Sequence, residues 1–185
     1  MKKLILILLF PLFAFGFELG VKVGSTGLNF QNRTEYINGT SDIYLNKYLF
    51  GYKRNVVGFY FDFIYGKDLE LNNRHFYRSF EANTIVVVNL VSDIGTPEIF
   101  ILSNYVNPNK KEEGRIDSYF GLGLSANRVE TNQKIYKGSA YQYFFGIRWM
   151  YIERLGIGFE YRFKNFKKND LNSVENFFFN VVAAF

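Results

Sequence analysis

Few side chains in this sequence could carry out catalysis. The chain contains no cysteine and one histidine, His75, which excludes disulfides, thiol nucleophiles and sites that need two imidazoles. His75 could activate a hydroxyl nucleophile only at hydrogen-bonding distance, and the next serine, Ser79, is four residues away. On a strand that spacing places both side chains on one face but too far apart to pair. We therefore expect no enzyme, no metal site and no cofactor.

One pair of acidic residues could in principle bind a cation. Glu112 and Glu113 follow each other in the polar stretch from Asn107 to Gly114. Calcium needs several convergent oxygens from a shaped loop. A solvated loop is the better interpretation of this stretch.

The N-terminal segment has the pattern of a cleaved secretory signal. Lys2 and Lys3 precede a short apolar run, and Ala14-Phe15-Gly16 supplies the small residues of a cleavage site. The run is shorter than the roughly 20 residues that a membrane-spanning helix needs. We predict a signal peptide over 1–16 and one domain over 17–185. Loss of both lysines lowers the formal charge from +5 to +3, too little for a nucleic-acid-binding surface.

Apolar and polar residues alternate in one segment after another along the rest of the chain. In one segment Phe59, Phe61 and Phe63 form an apolar face opposite Tyr60 and Asp62. A period of two with β-branched and aromatic residues predicts β-strands, and these segments exceed the roughly 5 to 6 residues of an average strand. A tilted transmembrane strand needs about 9 to 11 residues. The predicted strands lie near 17–30, 41–52, 55–67, 80–91, 115–129, 138–151, 154–166 and 174–185.

The polar faces of these strands indicate which side faces inward. They carry charges of both signs together with half of the 16 glycines of the chain. A solvated surface has no need for glycine beside charge, whereas the lumen of a small barrel needs small residues between bulky ones and needs its charges paired. We predict a lumen charge network formed by Lys22, Asp62, Glu81, Asp117, Arg148, Glu160 and Arg162.

The apolar faces point to a membrane. Aromatic residues make up 20% of the chain, with 22 Phe and 14 Tyr. A soluble, lipocalin-like barrel would show the same period with its apolar face turned inward, but then the charged and glycine-rich face would meet water. Large aromatics on an outer face suit a bilayer and would cause aggregation in water. The fold class predicted is all-β, a single antiparallel transmembrane β-barrel.

Three stretches resemble a known family. The segment Ser118-Tyr119-Phe120-Gly121-Leu122-Gly123-Leu124-Ser125 is similar to the tyrosine-glycine-x-glycine strand of small outer-membrane barrels of the OmpA, OmpX and opacity-protein type. Tyr143 to Arg162 looks like the hairpin that follows it in that group. The chain ends in an alternating strand similar to the C-terminal signal of outer-membrane assembly, formed by Phe177, Phe179, Val181, Ala183 and Phe185.

The resemblance implies a location and partners. It implies the outer membrane of a Gram-negative bacterium, reached by export, with periplasmic chaperones and the barrel-assembly machinery as partners during biogenesis. Both termini would lie on the periplasmic side. Outer-membrane lipids and lipopolysaccharide would surround the barrel, and basic residues at the predicted outer rim could contact phosphates, a solvated loop being the alternative. These residues are Lys67, Arg74, Lys167 and Lys168, with Arg78 and Lys164 beside them.

The strand count stays open between eight and ten. Eight strands fit the length best, with outer loops near 31–40, 68–79, 130–137 and 167–173. Residues 98–106 also have the pattern of a strand, although the eight-strand scheme places them in a periplasmic turn. Bacterial single-chain barrels have even strand numbers, so ten is the alternative.

Neither the pattern nor the resemblance selects one function. We expect a monomeric barrel with a side-chain-filled polar lumen and a structural or surface-interaction role through its outer loops. The alternative is a narrow pore for small solutes or ions, and the two differ in whether the inward charges cancel pairwise or leave a water path. A lipid-modifying enzyme is a distant third, since related deacylases need a His and a Ser two residues apart.

Overall fold

Eight long strands make up nearly all of the chain that the structure describes. The computed structural model describes residues 16–52, 55–70, 73–94, 114–152 and 154–185, so most of the predicted signal peptide and the segment 98–106 lie outside the described residues. No helix in this part of the chain is long and apolar enough to span a membrane. The strands are β1 (Phe17–Phe30), β2 (Thr34–Tyr52), β3 (Asn55–Glu70), β4 (Asn73–Ile94), β5 (Gly114–Glu130), β6 (Ile135–Ile152), β7 (Leu155–Lys168) and β8 (Leu171–Ala184).

The sheet closes on itself. Each strand pairs antiparallel with the next in sequence, and β1 pairs with β8 from Glu18↔Ala184 to Phe30↔Leu171. At the seam the backbone N–H of Phe17 donates to the carbonyl of Phe185 at 3.1 Å, and the N–H of Phe185 donates back at 2.8 Å. The prediction of an eight-stranded antiparallel barrel is confirmed, and the ten-stranded alternative is wrong because β1 and β8 already close the ring.

The two ends of the barrel differ. We call the end that holds Phe17 and Phe185 the proximal end. The opposite, distal end holds the connections from β1 to β2 (31–33), from β5 to β6 (131–134) and from β7 to β8 (169–170). In these places the predicted loops 31–40, 130–137 and 167–173 are too long, because the strands continue into them. The predicted loop 68–79 is wrong in the same way, since β3 runs to Glu70 and β4 starts at Asn73.

The loop predictions failed because the alternation reverses its sense near the distal end. Along most of each strand apolar residues face outward: Phe61 is exposed on β3, whereas Tyr60 and Asp62 are buried. Nearer the distal end the polar residues face outward, as on β5, where Arg128 is exposed and Val129 is fully buried. The period of two persists through the reversal. A strand that changes from apolar-out to polar-out loses the amphipathic signal at that point, although its backbone stays extended.

Glycine makes room for aromatic rings inside the barrel. Gly20 lies directly opposite Tyr44, and Tyr119 lies directly opposite Gly146. A Cβ atom on Gly146 would lie 2.3 Å from the Tyr119 ring and 2.6 Å from the carbonyl oxygen of Phe159. The ring therefore occupies the space that a side chain would need. Gly121 makes room for the Phe144 ring in the same way, so part of the glycine on the inward-facing side of the sequence pattern accommodates aromatic rings.

We expect the Gly146→Ala substitution to lower the free energy of unfolding by about 1–3 kcal/mol, as overpacking of a filled core does. The Tyr119 ring cannot move freely, because Asn180 Nδ2 donates to its hydroxyl at 2.7 Å. Chemical denaturation of the protein in lipid vesicles measures the effect. Gly27→Ala is the matched control, since a Cβ there would lie 3.5 Å from the nearest atom of Tyr36, an ordinary contact. Equal effects at both positions would contradict the packing argument.

Candidate functional site

A cluster of charged side chains fills the middle of the lumen. Three cations and four carboxylates meet there, and all seven side chains are fully buried. They come from β1, β2, β3, β4 and β7, so the cluster bridges the barrel from wall to wall. The members of this central cluster are Lys22, Arg162, Lys164, Asp42, Asp62, Glu81 and Glu160.

Lys22 joins three carboxylates. Its Nζ lies 2.8 Å from Asp42 Oδ2, 3.0 Å from Asp62 Oδ1 and 3.0 Å from Glu160 Oε1. The same ammonium lies 4.7 Å from the centre of the Tyr60 ring, which adds a cation–π contact. A buried cation is tolerated only when it is surrounded in this way, since an unpaired charge in the interior is strongly unfavourable.

Arg162 contacts the fourth carboxylate, Glu81, and two of the three that Lys22 contacts. Its Nη1 lies 3.2 Å from Asp62 Oδ2, its Nη2 lies 2.6 Å from Glu160 Oε1, and Nη1 also pairs with Glu81. Glu81 pairs in addition with Lys164. Arg162 thus contacts three of the four carboxylates in the cluster, as the planar five-donor guanidinium allows.

A second charged group lies toward the proximal end. Arg148 Nη1 lies 2.6 Å from Glu18 Oε2, and its Nε lies 3.3 Å from Asp117 Oδ2. Arg115 Nε lies 3.0 Å from the same oxygen of Asp117. The Tyr48 hydroxyl accepts a hydrogen bond from Arg148 at 3.1 Å. Two cations meet two carboxylates here, so this group is neutral as a whole.

Apolar layers separate these charges from each other and from the distal end. The layer between the two charged groups packs tightly: its cavity beside Tyr44, Tyr60 and Arg148 measures about 10 Å³, room for about one water molecule. That layer contains Tyr44, Tyr60, Ile85, Val87, Tyr119, Phe144, Met150 and Val182. The distal layer contains Leu28, Phe30, Ile37, Ile64, Tyr77, Val129, Tyr136, Ala140, Phe166, Leu171, Val174 and Phe178.

The seven residues of the predicted lumen network are all buried, but they form two groups and not one. Lys22, Asp62, Glu81, Glu160 and Arg162 belong to the central cluster, whereas Asp117 and Arg148 belong to the proximal group.

Two members of the central cluster were not in the predicted network. The sequence puts Lys164 on the polar face of its strand and also beside the outer rim; the rim placement is wrong, because Lys164 is fully buried against Glu81. Asp42 was missed, although the sequence carries a signal for it: Asp42, Tyr44 and Asn46 alternate with apolar Ile43 and Leu45.

His75 lies inside the distal end. It is buried on β4, and its Nε2 lies 2.6 Å from Glu35 Oε2. Ser79, the serine nearest in sequence, also faces the inside of the barrel, and it donates to Glu81 Oε1 at 2.9 Å. The two side chains therefore have separate partners, and neither contacts the other among the described hydrogen bonds and ion pairs.

The turn after β7 carries a small polar contact of its own. The Tyr136 hydroxyl donates to Asp170 Oδ1 at 3.0 Å. The backbone N–H of Asp170 and this hydroxyl hold the pKa of the Asp170 carboxyl below its ordinary value. Asn169 in the same turn has φ 56°, the left-handed conformation that Asn tolerates better than most residues.

The residues predicted to contact outer-membrane components face outward where they are described. Lys67, Lys167 and Lys168 are exposed near the distal end, and the side chain of Arg74 lies outside the described residues. Four residues of the predicted assembly signal are exposed on β8 or just after it, namely Phe177, Phe179, Val181 and Phe185, and Ala183 is half-buried.

Solved structures share this fold, whereas no protein-family profile and no curated protein sequence matches the chain. Neisserial surface protein A matches with a TM-score of 0.59 and 10% identity over 91% of this chain and 97% of its own. Ail, the attachment invasion locus protein of Yersinia pestis, matches with a TM-score of 0.54 and 8% identity over 92% and 99%. Its complex with the heparin analogue sucrose octasulfate gives 0.55 and 7% over the same shares. The chain therefore has the fold of small eight-stranded outer-membrane barrels.

Proposed function

We propose that this chain is an integral outer-membrane protein with a closed lumen, and that it acts as a structural or surface-interaction barrel through its distal end. The proximal end, with both termini, faces the periplasm, and the distal turns face the outside. The exposed Phe, Leu, Ile and Val side chains form the lipid-facing belt. Export by the N-terminal segment belongs to the same proposal.

The proposal that the lumen is closed rests on one observation, the ion pairs that cross it. Lys22 on β1, Asp62 on β3 and Arg162 on β7 are joined by ion pairs of 3.0 and 3.2 Å across the interior. Ion pairs that connect opposite walls obstruct a water path through the middle of the lumen, and the cavity on the proximal side of the cluster has room for about one water molecule. The alternative of a narrow pore requires such a path.

The contacts of His75 and Ser79, the side chains considered as a catalytic base and nucleophile, support a non-enzymatic role. His75 pairs with Glu35, and Ser79 is engaged by Glu81 and by Lys164 at 3.2 Å. A hydrolase of this architecture would need a base and a nucleophile in contact, with the nucleophile open to the lipid phase. Ser79 is buried in the lumen.

We expect no ion conductance from the signal-free protein refolded into a planar bilayer. The measurement is single-channel recording at several salt concentrations, on protein whose folding is shown by a heat-dependent shift in electrophoretic mobility. A porin refolded in the same way serves as the positive control. Reproducible current steps that grow with salt concentration would overturn the closed-lumen proposal in favour of the pore.

A further inference from the structure

Three cations stand side by side on the outer wall. Arg78 of β4 lies directly opposite Arg128 of β5, and Arg128 lies directly opposite Lys137 of β6. All three side chains are exposed. Like charges in directly opposite positions of an antiparallel pair repel each other, since their Cβ atoms are about 4.5–5.5 Å apart. We call these three residues the basic row.

Only one charge of the basic row has a carboxylate partner within the described part of the chain. Arg128 pairs with Glu130 on its own strand. The Arg78 guanidinium stacks at 4.4 Å on the ring of Phe76, which holds it in place without neutralising it. Neither Arg78 nor Lys137 has a carboxylate contact among these residues. The row therefore presents two uncompensated positive charges.

An apolar groove lies on the same wall, closer to the proximal end. It has a volume of about 560 Å³, and the Tyr141 side chain on its edge is 78% exposed. Tyr143 and Phe163 stack with ring centres 5.2 Å apart and form one side of it. The groove is lined by Leu122, Gly123, Leu124, Tyr141, Gln142, Tyr143, Phe163 and Asn165.

The strand register aligns the groove with the basic row. Leu124 pairs with Tyr141 at the top of the groove, and Arg128 pairs with Lys137 four residues farther along β5. The separation is about 13 Å at roughly 3.3 Å per residue. Between them lie only the small outward side chains of Ala126 and its partner Ser139. An open path therefore leads from the groove to the row.

We propose that this wall binds one phosphate-bearing lipid of the outer leaflet, with an acyl chain in the groove and a phosphate on the basic row. The inference rests on the proposed membrane location. The row lies where the outward residues change from apolar to polar, the depth at which lipid headgroups lie. Arginine binds phosphate through paired hydrogen bonds, and two uncompensated cations match a doubly charged headgroup. A soluble anion would use the row but not the groove.

The site differs from the one predicted from the sequence. Lys67 and Lys168 are not part of it, whereas Lys167 follows Asn165 on β7 and flanks the groove. Arg128 and Lys137 could be assigned only from the pairing of β5 with β6.

The test compares two variants with the same change in charge. Arg78→Gln/Lys137→Gln removes the unpaired cations of the row, and Arg33→Gln/Lys134→Gln removes two cations at the distal turns. Each is folded in a zwitterionic detergent, checked for the folded electrophoretic form and titrated with bisphosphorylated lipid A. Native mass spectrometry counts bound lipid. We expect one lipid on the wild type and on the control, and affinity weaker by about tenfold or more for the row variant.

Two further measurements distinguish binding of a lipid from binding of a free anion. Tyr141→Ser, which changes the groove and no charge, is also expected to weaken lipid binding, and inorganic phosphate is expected not to displace the lipid. Equal binding by the row variant and the control, or full displacement by phosphate, would overturn the inference. Because folding is checked in every sample, loss of this inference would leave the closed-barrel proposal intact. Current steps in the conductance experiment would overturn the closed-barrel proposal and leave the lipid-binding inference standing.

Discussion

Replacing Arg162 with methionine is expected to lower the free energy of unfolding by about 3–5 kcal/mol, the usual cost of removing one partner from a buried ion-pair network. Arg162 is fully buried and contacts Asp62, Glu81 and Glu160. Without it, the four carboxylates of the central cluster would face only the ammonium groups of Lys22 and Lys164. Methionine is unbranched, flexible and comparable in volume, so the main change is the lost charge and its hydrogen bonds.

The measurement is reversible denaturation by guanidinium in lipid vesicles, followed by tryptophan fluorescence. Arg128→Met is the matched control, since Arg128 is exposed and its pairing with Glu130 is worth at most about 1 kcal/mol. A loss of less than about 1 kcal/mol in Arg162→Met would show that the central cluster does not hold the barrel together.

Two aspartates of the central cluster are expected to respond very differently to replacement by asparagine. Asp62 contacts Lys22 and Arg162 and accepts a hydrogen bond from Asn83 at 3.1 Å. Asp42 contacts Lys22, and its Oδ1 is buried with no hydrogen-bond partner in the described structure. Four carboxylates face three cations in the cluster. Removal of the Asp42 charge therefore relieves repulsion between carboxylates, whereas removal of the Asp62 charge leaves Lys22 and Arg162 less well paired.

We expect Asp62→Asn to lower the free energy of unfolding by about 2–4 kcal/mol and Asp42→Asn to leave it unchanged within about 1 kcal/mol or to raise it slightly. The two variants are matched in size and chemistry, so each is the control for the other. The same denaturation assay in vesicles compares them. Equal losses would show that the contacts of the cluster, as described, do not determine its energetics.

The sequence predicted the barrel through features that depend on local spacing. Alternation of apolar and polar residues in segments such as 55–67 predicts a strand and its two faces, and this needs no knowledge of which strand pairs with it. The joint presence of glycine and charge on one face indicated the inside, and Gly146 beneath Tyr119 shows why. Strand length then indicated a membrane.

The features that the sequence did not predict depend on register and on position along the barrel axis. No local pattern shows that Arg162 would meet Glu81, since the two residues lie on strands that are not neighbours in the sheet. The burial of Lys164 could not be predicted for a similar reason. Its ammonium contacts Glu81 and not water because β7 continues to Lys168, and the local pattern does not show where β7 ends. The distal strand ends were missed where the outer face turns from apolar to polar, as at Arg128 on β5.

The seam between β1 and β8 has a consequence for assembly. β1 and β8 are the first and last strands in the sequence, yet they pair along 13 positions. Until β8 pairs with β1, any partial sheet keeps two unpaired edges, and its apolar outer face is exposed as well. Each added hairpin lengthens that sheet without removing an edge. The protein thus becomes free of edges only when the seam closes, and a chain truncated before β8 would keep both edges and is expected to aggregate.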